Sequence, residues 1–146
     1  MTQQMIPLGG ELAKDGHRLT QRVYYEDTDF SGVVYHARYL HFLERGRTDF
    51  LRCLGVEQSE MTVEGEKAAF VVRRMEIDFL TSARMDDILT ILTRTDTVTG
   101  ARMTLRQTIF IDQKRLMEAT VTIALINTAG RPRRLPTDLQ KKMLDI

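Results

Sequence analysis

The chain has little of what usually marks a special class of protein. It has one cysteine, Cys53, which excludes an internal disulfide and any zinc site built from several thiolates. That scarcity fits a reducing compartment. It has almost no excess charge, with 21 basic residues against 20 acidic ones. A protein that coats nucleic acid should carry a strongly basic face, so no nucleic-acid partner is expected. No apolar run approaches the ~18 residues of a spanning helix. The opening MTQQMIPLGGELAK lacks the basic start and apolar stretch of a signal peptide. The expectation is a cytoplasmic protein without stable membrane insertion. Internal repeats and low-complexity tracts are also missing.

What is present is an ordinary globular composition. Hydrophobic residues make up 42% of the 146, enough for one domain to bury a core without staples. Residues 1–17, with Pro7, Gly9, Gly10 and Gly16, read as a flexible leader, and 18–146 as the folded domain. Residues 18–25 have strand character, and 26–32 form a polar, glycine-containing turn. A helix is predicted over about 36–54. Tyr39, Leu40, Leu43, Gly46, Phe50, Leu51 and Leu54 are its inward face, at spacings of three and four. Gly55 suits the position just past its end. Gly46 on the apolar face costs about 1 kcal/mol against alanine; close approach to a sheet is the natural reason to keep it.

Four segments with strand periodicity follow. In the first, Val71, Arg73, Met75, Ile77 and Phe79 form the more apolar set; the second covers about 87–97. The third puts Met103, Leu105, Ile109 and Ile111 on one face. The fourth does the same with Met117, Ala119, Val121, Ile123 and Leu125. Period-two alternation with short connections predicts an antiparallel meander buried on one face. Residues 136–144 read as a short helix with proline near its start. Strand, long helix and four strands make an α+β domain, one helix on a five-stranded antiparallel sheet. Its other face and its edges favour a homo-oligomer.

The richest window is YYEDTDFSGVVYHARYLHFLE, residues 24–44. A carboxylate beside a helix start can serve acyl transfer, which needs a base or nucleophile and donors for the oxygen that becomes negative. Asp29 precedes the predicted helix start, and Gly32 lets the chain bend between them. The free N–H groups of the first turn, around residues 35–37, carry partial positive charge. They would keep Asp29 ionised and polarise a carbonyl. The plainer reading of Asp29 is a cap or turn residue. Asp27 reads as structural, bonding nearby backbone, and His36 on its own as a packing residue. His17 and His41 read as surface residues, Glu44 as part of a helix salt bridge and Cys53 as a small core residue. Asp27, Asp29, Ser31, Gly32 and Val34 match the start of a calcium loop. Its twelfth position would be Arg38, where a bidentate glutamate is required, and calcium is set aside.

With Gly32-Val33-Val34-Tyr35-His36, Tyr39-Leu40, Phe42, Glu44-Arg45 and Arg47, this window resembles the YbgC-like acyl-CoA thioesterases. These belong to the 4-hydroxybenzoyl-CoA thioesterase group. Asp78-Phe79-Leu80 and Pro132-Arg133-Arg134-Leu135-Pro136 extend the resemblance over about 18–140. It implies the hotdog fold and hydrolysis of an acyl-CoA to free acid and CoA, without a metal or redox cofactor. It implies Asp29 as the catalytic carboxylate, either general base or nucleophile, and the His36 N–H as the donor to the thioester oxygen. The His36 side chain would orient water or substrate. Tyr35 is assigned to substrate binding. Arg131, Arg133 and Arg134 suit the phosphates of coenzyme A, with Arg73, Arg74 and Arg84 as alternatives. Phe30, bulkier than the small residue common there, would reshape the acyl pocket. The resemblance further implies a site at a dimer interface, dimers pairing into tetramers, and association with the Tol-Pal envelope system. An acyl carrier protein is a further candidate partner. Two readings stay open beside it: a non-catalytic scaffold that binds acyl-CoA or acyl carrier protein, and a dehydratase of β-hydroxyacyl thioesters.

Overall fold

A computed structural model describes residues 9–145. Seven strands run through them: β1 (Glu11–Ala13), β2 (Gly16–Arg22), β3 (Thr62–Val63), β4 (Glu66–Phe79), β5 (Ile88–Thr99), β6 (Arg102–Ile111) and β7 (Lys114–Asn127). Helix α1 (Arg38–Cys53) stands between β2 and β3, and α2 (Thr137–Leu144) follows β7. The sheet is antiparallel, in the order β1-β2-β5-β6-β7-β4-β3.

The five strands expected from periodicity are the five long ones, β2 and β4–β7. The count of five is corrected by the short strands β1 and β3. The leader is corrected as well. Its residues 11–13 pair with 16–18, a hairpin at the sheet edge, because Gly16 takes φ +130° beside the Thr93 carbonyl. Residues 1–8 of that leader lie outside the described residues.

The core lies between α1 and one face of the sheet. Phe42, Leu43, Phe50 and Leu51 of the helix meet Leu89, Ile91, Leu105, Ile109, Met117 and Val121, all nearly or fully buried. Full burial of one such side chain contributes about 1.5–3 kcal/mol. Packing, not helix propensity, therefore holds α1. Gly46 is where the two layers touch: a Cβ there would lie 2.8 Å from Ile91 Cγ2 and 3.0 Å from Thr93 Oγ1. The close approach expected of this glycine is what the fold has.

Inward assignments change on both α1 and β4. Leu40 is exposed on α1, whereas Phe42 and Arg47 are buried. In β4 the register shifts between Val72 and Arg74. The extra residue of this bulge reverses which side faces in, so Phe70 packs against the core before it and Met75 and Ile77 after it. Phe79 is left half-exposed.

Candidate active site

The window rich in chemistry folds into a short loop seated on the start of α1. Residues Tyr25–Asp27 make a 3-10 turn. Asp27 is 2% exposed and both oxygens of its carboxylate are bonded. It accepts from the Tyr24 N–H at 2.8 Å and from Arg38 Nε and Nη2 at 2.9 and 2.7 Å. Its carbonyl accepts from the Tyr35 N–H at 2.9 Å. One buried residue thus ties the chain entering the loop to the chain leaving it and to the helix. Between them, Thr28 bridges Val34, and the Asp29 N–H donates to the Val33 carbonyl at 2.9 Å. Gly32 turns the hairpin at φ +84°, a backbone angle that favours glycine. The Val34 N–H donates to Ala83 O, and the Ala83 N–H to the Tyr39 hydroxyl. The loop is fixed on two sides.

Asp29 stands at the tip, exposed. Its Oδ1 accepts from the Ser31 N–H at 2.9 Å and from the Ser31 hydroxyl. Among the described residues no donor reaches Oδ2. The Ser31 hydroxyl, then the N–H groups of Ser31 and Val33, hold this carboxyl below its ordinary range, with the His36 ring adding a smaller pull. Asp29 is therefore both a turn residue, through Oδ1, and a free carboxylate, through Oδ2.

The helix starts two residues later than the expected 36. His36 and Ala37 form a turn before Arg38, whose N–H donates to the Tyr35 carbonyl at 2.8 Å. The expectation of free N–H groups over 35–37 is trimmed, because Asp27 takes that of Tyr35. Those of His36 and Ala37 have no acceptor among the described residues, and the positive end of α1 lies behind them. The His36 ring stacks on Tyr35 at 4.6 Å and meets the edge of Phe79 at 6.3 Å. Phe30, Tyr35, Phe79, Leu80 and Met85 are exposed apolar side chains on the segments that carry and seat the loop. A free carboxylate, two free N–H groups and apolar surface can take up an acyl carbonyl and deliver a base to it.

The arginine loop is separate. Arg133 bonds Glu66 through Nε at 2.9 Å and Nη2 at 2.6 Å; Arg131 and Arg134 are exposed. Among the described residues no hydrogen bond or ion pair joins this loop to residues 24–38. Glu44 makes no ion pair among the described residues, against the expected helix salt bridge.

Two more assignments are corrected at the far end of α1. His17 is completely buried, and its Nε2 lies 2.5 Å from Asp49 Oδ2, which also accepts from the Gly10 N–H at 2.7 Å. Cys53 is an exposed thiol, not a core residue. Its Sγ is 3.8 Å from Asp49 Oδ2, and burial of its sulfur plus that carboxylate push its pKa up. His17, Asp49 and Cys53 offer three atoms within 4.8 Å of one another. They do not fit a metal. A cation on Nε2 would drive the ring proton to Nδ1, which is buried without a partner, whereas a ligating histidine needs an acceptor there. The cluster fits a hydrogen-bonded tie between the first hairpin and the helix.

Reasoning on the sequence missed Arg38, Ser31, Tyr39 and Phe79 as supports of the site. The pair Asp27 and Arg38 had a signal, a buried-type turn carboxylate with a cation eleven residues on. The edge contact of His36 with Phe79 had none, because the two belong to distant elements.

Residues 31–132 match the Thioesterase superfamily. A protein of Haemophilus influenzae named acyl-CoA thioesterase YbgC is 43% identical over 77% of this chain and 82% of its own length. One of Escherichia coli named acyl-CoA thioester hydrolase YbgC is 40% identical over 81% and 88%. A solved structure of a probable thioesterase from Bartonella henselae is 54% identical, covers 82% of this chain and 98% of its own, and superposes with a TM-score of 0.79.

Proposed function

The chain belongs to the thioesterase superfamily, with its hotdog fold, and from that premise we propose that it is an acyl-CoA thioesterase with Asp29 as its catalytic carboxylate. The observation that carries the assignment is the unpaired Oδ2 of Asp29 on the loop that leads into the free N–H groups of His36 and Ala37. Names of relatives at 38–43% identity support the substrate class.

The reaction follows from the chemistry of a thioester. The acyl carbonyl takes the N–H of His36, and its oxygen gains negative charge as the carbon is attacked. In one form, Asp29 Oδ2 accepts a proton from water while the water oxygen bonds that carbon. The C–S bond then breaks and the thiolate leaves, taking the proton back to become free CoA thiol. In the other, Oδ2 itself bonds the carbon, CoA leaves, and water opens the resulting anhydride. Depression of the Asp29 pKa serves either form by keeping the carboxylate charged. The His36 side chain and Tyr35 would orient substrate beside it. Exposed Arg131 and Arg134 are suited to CoA phosphates by chemistry, with Arg133 already engaged by Glu66.

A second copy is part of this reading. Strand β3 covers only Glu66 and Lys67 of β4. The outer edge of 68–79 has no strand partner among the described residues, and an open edge of that length pairs readily with another. No helix is long and apolar enough to cross a membrane among the described residues, and a free thiol suits a cytoplasmic setting.

The test is thiol release from a panel of acyl-CoAs and acyl carrier proteins, comparing the parent with Asp29→Asn. Turnover by the parent, lost in the variant while acyl-CoA still binds, supports the proposal. Equal inactivity of both with binding retained would make the protein a scaffold. Enoyl formation without thiol release would make it a dehydratase.

A further inference from the structure

A second place in the molecule has unspent binding capacity. Arg47 projects from α1 beneath the helix and is 8% exposed. Among the described residues no carboxylate pairs with it. The other partly buried arginines have such partners: Arg38 has Asp27 and Arg133 has Glu66. The guanidinium offers five N–H donors, and its bond among the described residues is Nη1 to Gln107 Oε1 at 3.1 Å. Burial pulls its pKa down and Glu44 partly opposes this. Glu44 acts on this charge from a distance, and a buried charge with no carboxylate bonded to it is rare unless something supplies one.

Arg47 faces a cavity of about 240 Å³ between α1 and β4. Its walls are apolar at Leu51, Phe70 and Ile123, and polar at Glu44, Thr48 and Gln58. One cation, two neutral polar groups and apolar walls suit a singly charged planar group on a hydrocarbon tail. A phosphate dianion fits poorly, because Glu44 would repel it and no second cation lines the cavity.

We infer that the cavity between α1 and β4 is a carboxylate-binding site in which the Arg47 guanidinium is the counter-ion. Arg47 presents two parallel N–H groups to the two carboxylate oxygens, the geometry in which guanidinium outperforms ammonium. Thr48 and Gln58 complete the polar end, and the tail lies against Leu51, Phe70 and Ile123. Glu44 weakens the site and sets its selectivity for one negative charge. The carboxylate has two chemical sources: a free short-chain acid, or the far end of an acyl group that is itself a half-acid. Only the second rests on the thioesterase reading.

Binding is read directly, by NMR of the backbone amides of Thr48, Leu51 and Phe70, which line the cavity, together with the Arg47 Nε–H in the parent, on the whole protein titrated with butyrate, and with butanol and inorganic phosphate beside it. The expected result is a saturable shift with butyrate alone. Arg47→Gln should abolish it, and Glu44→Gln should tighten it several-fold. Arg47→Lys should bind more weakly. Glu44→Gln leaves the cation in place, so the inference stays testable if Arg47→Gln does not fold. Hydrolysis of glutaryl-CoA against pentanoyl-CoA then separates the sources. If the acyl group brings the carboxylate, the parent prefers glutaryl-CoA by about tenfold or more in kcat/KM, and Arg47→Gln reverses this. If butyrate binds but that preference is missing, the site holds a free acid. If butyrate produces no saturable shift in either the parent or Glu44→Gln, the inference is overturned. The thioesterase proposal is untouched by that outcome, since thiol release from pentanoyl-CoA measures it separately.

Discussion

The two ends of α1 carry the same kinds of residue and use them in opposite ways. Near its last turns Asp49 meets His17 and the Gly10 N–H. Near its start Asp29 lies on the loop that leads to His36, with one oxygen unpaired. At the far end the carboxylate is spent on holding the first hairpin against the helix. At the start, Asp27 does that work through Arg38, Tyr24 and Tyr35. This leaves its neighbour two residues on free for chemistry. Residue type does not separate an anchor from a reagent. Exposure does: Asp27 is 2% and Asp49 17% exposed, each enclosed by the groups it ties together, whereas Asp29 stands exposed at a loop tip where a substrate can reach it.

That contrast can be broken experimentally, and the largest effect should fall on the free carboxylate. Asp29→Asn should lower kcat by about 10²–10⁴-fold, the range for a positioned acid–base group, with unchanged circular dichroism and unfolding midpoint. A comparable residual rate would put the chemistry elsewhere. Arg38→Met leaves the buried Asp27 carboxylate without its cation. It should destabilise the protein by about 3 kcal/mol in denaturant unfolding. Activity should fall with it as the loop loosens. If it retained full stability, Asp27 would not be the anchor.

At the opposite end, His17→Phe removes one charge-assisted bond from Asp49, and about 1–2 kcal/mol of stability should go with it. The kcat of the folded enzyme should not change. A large loss of kcat would mean that the far end shares in the reaction. The smallest effect concerns pH. With its pKa depressed chiefly by the Ser31 hydroxyl, Asp29 stays ionised to lower pH than an ordinary carboxylate. The acid limb of kcat/KM should therefore lie below the ordinary aspartate range, activity being lost as pH falls through that limb. Ser31→Ala should move the limb upward toward the ordinary value. An unmoved limb would separate Ser31 from the charge state of the catalytic group.

Much of this was legible before any coordinates. Period-two alternation in 103–109 and 117–125 predicted strands whose inward residues are buried as expected, because the pairing of β6 with β7 is regular up to Ile109. The same rule held for Met75 and Ile77 but failed before them, where the bulge near Arg73 puts Phe70 inward in place of Val71 and Arg73. A bulge inserts a residue without leaving a mark in the alternation on either side. His17 and Cys53 were misplaced for another reason. Burial of a short polar segment depends on what packs over it, and the cover for His17 comes from α1, more than thirty residues away.

The amino-acid sequence by itself determined the class of fold, the long helix, the glycine at its contact with the sheet and the loop that carries Asp29. Local periodicity and backbone freedom act over a few residues and need no distant partner. Tertiary structure alone decided that Asp27 is buried and bonded at both oxygens while Asp29 is exposed, that His36 meets the edge of Phe79, and that Arg47 is buried beside a cavity with no carboxylate bonded to it among the described residues. Each of these depends on which groups meet across the fold, and the net charge of +1 contains no record of that pairing.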